Sequence, residues 1–547
     1  MTHPSVPDPF AVFNQPAPRD GLPLWVEDPV LRHTLSILPA SLLRRPVEYA
    51  SVIGRAEMVE KGQRLATGPG PVLERFDAGG RRIDRVIYPE AYHDLLSLGI
   101  EVGYAALPWM SRDPGGHLAH AALVYLTTQV EPGVCCPMTM TYAAVPALRQ
   151  GGPLSQRLAH LATGSRYDPA DAPLAGKQGA TIGMAMTEKQ GGSDVRANTT
   201  IARPDGDGFR LVGHKWFCSA PMSDAILTLA RLPEGLTCFV VPRRMPGGEL
   251  NEVHLMRLKN KLGNRSNASA EIEYRGAWAE MLGDPGEGIR TILDMVHHTR
   301  LDTATAPAGL MRRALAEAIY WSRHRSVFGK HLIDQPLMRA VLADMALEWM
   351  AATEIAMRVA AAFDAAQDDP AEAAFARLAV ALAKYINNKH CPVVVTEAME
   401  CLGGMGYVED TPAPWLYREA PLNAIWEGSG NVICLDVLRT LKKVPQAAEA
   451  FLAEIGSLRP ANTELSATLG DIKTMISEGV EESAARKVVE TMALALQASL
   501  MLRRTDPYCG ELFTATRLGG NWGRTLGTLP SGTDTARIID AACSPQT

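Results

Sequence analysis

The chain has 547 residues, 46% hydrophobic and 21% charged, with a formal net charge of −6. Such a length leaves room for several domains and a sizeable core, and the acidic balance gives no reason to expect nucleic acid as a partner. Nine cysteines without a CxxC pair read as small buried thiols rather than disulfides or zinc ligands, so no metal is expected.

The start, "MTHPSVPDPFAVFNQPAPRD", has prolines where a signal peptide needs an apolar run. No apolar stretch approaches the roughly 20 residues of a membrane helix. A cytoplasmic location without membrane contact is the expectation. Residues 1–182 read as helices separated by Pro/Gly-rich connections such as "TGPGPVLERFDAGG", and "HLAHAALVYLTTQV" has the spacing of an apolar helix face. From 183 to 284 the texture changes. Short β-rich runs ("GFRLVGHKWFCS", "DAILTLARL", "GLTCFVVP", "ASAEIEY") alternate with turn chemistry such as "PDGDG" and "LPEG", which predicts a small antiparallel β domain. Residues 285–441 return to helical spacing, with Phe375, Leu378, Leu382 and Tyr385/Ile386 on one face, as in a helical bundle. Residues 442–547 form a further, mainly helical segment.

Two stretches carry chemistry. "GMAMTEKQGGSDVRANTT" (183–200) is a turn with a Gly pair and hydroxyls; it suits either the edge of a planar heterocycle or a polar surface loop. "IWEGSGN" (425–431) sets Glu427 between a tryptophan and a Gly-Ser-Gly turn. A charge there must be solvated, paired or employed.

"MTEKQGGSDV" closely resembles the flavin-binding signature of the acyl-CoA dehydrogenase family, and four further stretches agree with that family in order and spacing. "GHKWFCS" (213–219) resembles the strand that flanks the flavin ring, and "RHRSVFGKHLIDQ" (323–335) the helix end that reaches the FAD pyrophosphate and adenosine. "EAMECLGGMGYVED" (397–410) resembles the Gly-rich turn that contacts adenine across a dimer interface. "YREAPLNAIWEGSGN" (417–431) resembles the segment holding the catalytic base. "VFNQP", "CPMTMT" and "KLGNRSNAS" point further to the AidB-like, alkylation-response branch, over nearly the whole chain. The implied fold is mainly α with an inserted β domain: an N-terminal α domain, a middle antiparallel β-barrel or sandwich, a four-helix bundle, and an extra C-terminal helical domain.

The resemblance implies FAD as cofactor, held by Met184, Ala185, Met186, Thr187, Gly191, Gly192 and Ser193 of the signature. Trp216, Phe217 and Ser219 follow from the second stretch, and Arg325, Phe328 and Gln335 from the third. Glu400, Gly403, Gly404 and Gly406 follow from the fourth, and Ile425, Trp426, Gly428, Ser429 and Asn431 from the last. Read without the motif, Arg325 is an ordinary solvated helix arginine. Glu427 matches the family's base, which removes the α-proton of an acyl-CoA thioester while the β-hydrogen passes to flavin N5. Other members place that base on another helix; here the corresponding region, "HHTRLD" (297–302), has Thr299. A free carboxyl near 4.3 is a poor base, so burial must raise it.

One departure from the family pattern is Trp415, where a Lys or Arg is usual; a changed local ion pair is expected, with Arg418 and Glu419 matching. Cross-subunit FAD contacts imply a homo-oligomer, a dimer of dimers, with electrons leaving to a flavoprotein or oxygen. The branch also brings a rival reading, a flavin-containing DNA-binding protein with vestigial redox activity, and a weaker one, oxidation of a small nitrogenous compound. Charge argues against DNA: residues 441–547 contain eleven Lys+Arg and twelve Asp+Glu.

Overall fold

The computed structural model describes residues 8, 10–458, 462–504 and 506–543; most of the proline-rich start lies outside them. In the N-terminal region the Gly116–Thr128 helix is buried at every position, including His117 and His120. It is enclosed by other helices on all sides, so "HLAHAALVYLTTQV" is wrapped all round rather than along one face. The connection "TGPGPVLERFDAGG" holds a hairpin, β1 (Val72–Phe76) and β2 (Arg82–Ile87). Its turn is fixed by Asp77, whose Oδ1 accepts the N–H groups of Gly79 and Arg81, with Gly80 at φ +78°.

The β domain runs through β3 (Ile182–Ala185), β4 (Ile201–Asp205), β5 (Gly208–Ser219), β6 (Ala225–Leu232), β7 (Gly235–Pro242), β8 (Val253–Leu258) and β9 (Ser269–Leu282). Pairings β5–β4, β4–β6, β6–β7, β7–β9 and β9–β5 close a ring, which removes the exposed edges of an open sheet. The ring is mostly antiparallel. The exceptions are β3, which runs parallel to β6, and a single parallel contact between β4 and β6. Leu211, Phe239, Val241, Leu255 and Ile272 fill its interior.

The flavin-signature loop is pinned from inside this domain. Lys215 on β5 and Glu188 in the loop are fully buried, with Nζ 2.8 Å from Oε1. The Glu188 carboxylate also accepts the N–H and hydroxyl of Thr199 (2.7 and 2.9 Å) and of Thr200 (3.1 and 2.6 Å). Burial alone would raise this carboxyl, but the Lys215 ammonium and these donors hold it well below the usual carboxylate range.

Helices Gly288–His324, Pro336–Ala365, Pro370–Cys401 and Gly430–Lys443 form the bundle. Phe375, Leu378, Leu382, Tyr385 and Ile386 are buried, as their spacing predicts. The C-terminal helices share the bundle's core through Val489, Leu496, Phe513 and Ile539. Arg517 brings a buried charge to this contact, pairing with Asp344 and Glu348. All nine cysteines are unpaired and eight are buried, and among the described residues no helix is long and apolar enough to cross a membrane.

Removing one partner of a buried ion pair leaves an uncompensated charge, at a cost of about 3–5 kcal/mol. Lys215→Met should therefore lower unfolding stability by that order in urea titrations. The double change Lys215→Met/Glu188→Gln should recover part of the loss.

Candidate active site

An open pocket, with about 650 Å³ of non-atom space when the solvent at its mouth is included, lies where the barrel meets the helices. The Gly288–His324 helix contributes Thr299, Asp302, Thr303, Ala306 and Leu310; the N-terminal helices contribute Val124, Thr128 and Thr139. Met184 of β3 and Ser219 of β5 close one side, and Glu419, Asn423, Trp426 and Glu427 another.

Glu427 enters this cavity through strained backbone. Its φ of +58° is left-handed, followed by Gly428 at +101°. A non-glycine residue holds such a conformation only when its surroundings enforce it. Two cations do so. Lys384 Nζ donates to the carbonyls of Asn423 (2.9 Å) and Gly428 (2.8 Å), bracketing the turn. Arg300 Nε donates to the Glu427 carbonyl at 3.3 Å, while its Nη1 is held 2.6 Å from Asp436, which Arg377 also pairs. Trp426 Nε1 donates to Asn423 Oδ1 at 2.6 Å. With the loop so fixed, Thr299 Oγ1 donates to Glu427 Oε2 at 2.7 Å.

The electrostatics follow from burial. Desolvation raises the Glu427 carboxyl, partly offset by the Thr299 hydroxyl and the charges of Lys384 and Arg300. Burial also brings Lys384 down to about 7, against the pull of Glu427. Glu419, which accepts the backbone N–H of Asn264, is pushed up to about 7 by burial. The cavity thus holds two carboxyls, Glu419 and Glu427, that burial raises above the ordinary carboxylate value.

Met184, Ser219, Trp426 and Glu427, separated by up to 243 positions in the sequence, meet on this one cavity. Ala185 is buried toward the barrel interior. Met186 and Thr187 are tied through their carbonyls, which accept from Asn198 Nδ2 (2.9 Å) and Trp216 N (2.8 Å). Gly191 and Ser193 are exposed, and the position a Gly192 Cβ would take lies against the Thr187 side chain. Trp216 and Phe217 lie under Lys259, whose Nζ is 3.4 and 4.6 Å from their ring centroids. Ile425 is exposed beside the Glu427 turn, and Asn431 Oδ1 accepts from Arg486 of the C-terminal extension at 2.8 Å. Ser429 immediately precedes the Gly430–Lys443 helix.

Other predicted residues lie outside the cavity lining. Gln335 Nε2 donates to the Val327 carbonyl at 3.0 Å, and Phe328, at φ +53°, is 95% exposed. Arg325 Nη1 donates to the Asn14 carbonyl at 2.7 Å. The remaining guanidinium N–H groups of Arg325 have no partner among the described residues. Glu400, Gly403 and Gly404 are exposed, whereas Gly406 packs so closely on Met399 O that a Cβ has no room. Trp415 replaces an ion pair by a hydrogen bond, Nε1 to Gln63 Oε1 at 2.8 Å, and Arg418 pairs with Glu409.

Sequence reasoning missed Lys384, Glu188, Asn264 and the buried pair His120–Asp302. Lys384 carried a signal: it is a lone cation within the apolar run "LAVALAKYI".

Three family descriptions cover most of the chain: "Adaptive response protein AidB N-terminal domain" over 14–169, the acyl-CoA dehydrogenase middle domain over 183–277, and the acyl-CoA dehydrogenase C-terminal domain over 286–442. The chain is 47% identical to AidB of Escherichia coli strain K12, over 79% of this chain and 80% of that protein. It is 34% identical to acyl-CoA dehydrogenase family member 11 of Caenorhabditis elegans, over 91% and 81% respectively. The crystal structure of C. elegans ACDH-11 in complex with C11-CoA superposes with a TM-score of 0.82 at 27% identity, covering 99% of this chain and 94% of that one.

Lys384→Met removes the positive charge that favours ionised Glu427, so the Glu427 carboxyl should move further up. The acid limb of any Glu427-dependent rate should shift to higher pH, by roughly one unit. A pH profile measured on both proteins checks this; a purely structural lysine would change the amplitude without moving the limb.

Proposed function

Because the chain belongs to the acyl-CoA dehydrogenase family, with an AidB-type N-terminal domain, we propose that it oxidises the Cα–Cβ bond of an acyl-CoA thioester with Glu427 as base. The observation that carries this reading is the Glu427 carboxylate, held by Thr299 and raised by burial, on the wall of a mainly apolar pocket between barrel and bundle.

The residues present fit FAD. Phe217, Phe328 and Ile425 leave apolar surface exposed, at 46%, 95% and 66%. Among the described residues Arg325 keeps N–H groups without a partner, and Cβ atoms at Gly403 and Gly404 would meet only open space. Met184, Ser219 and Trp426 would hold the ring system beside Glu427; Arg325 and Gln335 would serve the polar end. Bound FAD supplies the two-electron acceptor for the β-hydrogen, and the reduced protein passes its electrons to a flavoprotein or oxygen.

The chain's own part is proton chemistry. Thr299 orients Oε2 of Glu427, leaving Oε1 to take the α-proton. Trp426 and the helix wall limit solvation of the half-buried carboxylate, which makes it a stronger base than a free carboxylate. Lys384 and Arg300 keep the loop carbonyls, and hence the carboxylate, in place. Exposed Phe328, Leu337 (85%) and Tyr407 (83%) suit burial against a second copy, in keeping with a homo-oligomer.

The DNA-binding rival draws little from the C-terminal extension. Arg503 pairs with Glu454, Arg504 with Glu354, Arg517 with Asp344 and Glu348, and Arg537 with Asp506. Charges spent in these pairs neutralise few phosphates.

Anaerobic titration of the FAD-bound protein with medium-chain acyl-CoA should bleach the flavin absorbance. Glu427→Gln should retain FAD and lose that bleaching by a factor of 10³ or more, to order of magnitude. Bleaching at an unchanged rate in the variant would remove Glu427 as the base.

A further inference from the structure

The cavity follows one face of the Gly288–His324 helix, from Thr299 through Asp302 and Ala306 to Leu310. At 1.5 Å per residue that face is about 16 Å long. Thr299 touches Glu427, so the base marks one end and Leu310 the other. The wall between them is mainly apolar, with Ala306 and Val124 on it, and the few polar groups it carries, Asp302, Thr303, Thr128 and Thr139, are one-sided in their hydrogen bonding.

Each hydroxyl there has already spent its proton. Thr128 donates to Val124 O at 2.8 Å, Thr303 to Arg300 O at 3.1 Å, and Thr139 to Asp302. What they turn to a ligand is lone pairs. Asp302 also takes the Tyr104 hydroxyl at 3.4 Å and lies 2.7 Å from His120 Nε2, which leaves about one of its four acceptor positions free. The other ring nitrogen of His120 is 2.6 Å from the Tyr104 carbonyl. Both ring nitrogens therefore face oxygens, and the protons of this pair are used between them. From the 261–267 loop, Asn264 also lines the cavity, 2% exposed; its Oδ1 is buried without a partner among the described residues and adds nothing to the acceptor wall. The side-chain donors lining the cavity, those of Ser219, Asn264 and Asn423, come from β5, the 261–267 loop and the 419–427 segment. They do not come from this helix face.

A wall of acceptors is satisfied by a ligand that brings donors. Resting on the acyl-CoA reading above, we propose that the acyl pocket selects acyl groups with a hydroxyl or amine roughly one helical turn beyond the α-carbon. The same wall rejects acyl groups ending in a second carboxylate, which brings only acceptors and finds no donor on this helix face. Asp302 stands three residues from Thr299, about 4.5 Å along the helix, which places the donor about three to four carbons past the α-carbon.

Three six-carbon esters separate the cases: hexanoyl-CoA, 6-hydroxyhexanoyl-CoA and adipoyl-CoA, titrated calorimetrically into the FAD-bound oligomer. The hydroxy ester should bind about 10-fold tighter than hexanoyl-CoA, and the adipoyl ester about 10-fold weaker. Thr303→Val deletes one acceptor while sparing the His120–Asp302 pair, and should narrow the hydroxyl preference about 3-fold. Asp302→Asn, where it folds, should relax the rejection of adipoyl-CoA. Hexanoyl-CoA binding as tightly as the hydroxy ester overturns the donor preference and leaves the acyl-CoA reading standing. Failure of all three esters to bind overturns both.

Discussion

A carboxylate serves as a strong base only where water cannot solvate it, and such a place is also where it is least stable. The segment from Asn423 to Gly428 meets that constraint with backbone rather than with a counter-ion on the carboxylate. Glu427 sits at φ +58°, and the carbonyls around it, not its side chain, receive the cations Lys384 and Arg300. The carboxylate itself is left with one hydroxyl partner, Thr299. The loop's strain and its two buried cations thus form one arrangement, and loss of either would release the other.

The rest of the molecule supports that arrangement. The closed barrel presents Met184 and Ser219 as one wall, and its own signature loop is locked by Glu188 and Lys215. The bundle supplies Thr299, Arg300, Arg377 and Lys384, with Asp436 balancing two of the guanidinium groups. The C-terminal extension braces the same region, through Arg486 on Asn431 and Arg517 on the Pro336–Ala365 helix. Arg503, Arg504, Arg517 and Arg537 of this extension are each tied to a carboxylate and act as internal struts.

Much of this was legible in the sequence. The order of helices, β domain, bundle and appended helices follows from the change of hydrophobic period near residue 183 and its return after 285. Met184, Ser219, Trp426 and Glu427 were named from motifs, and they meet on one cavity. The β1–β2 hairpin was missed because its strands are short and largely exposed, without an apolar alternation to mark them. Glu188 was read only as part of a cofactor signature. Its structural duty depends on Lys215, Thr199 and Thr200, and their convergence requires the barrel's register. Asn14, which caps Arg325 and Ser326 from more than 300 residues away, left no local trace at all. Periodicity reveals faces, but side-chain to backbone bonds between distant segments do not repeat.

The central claim is that Glu427 removes a proton from the carbon next to a thioester. Exchange of that α-hydrogen for solvent deuterium, followed by proton NMR on an acyl-CoA analogue whose β-position cannot be oxidised, reports this step apart from electron transfer. The account predicts exchange by the native protein, with a rate that rises with pH through the raised Glu427 carboxyl, and none above background for Glu427→Gln. Equal exchange by both proteins would show that another group takes the proton, and that the strained turn at Glu427 serves a different purpose.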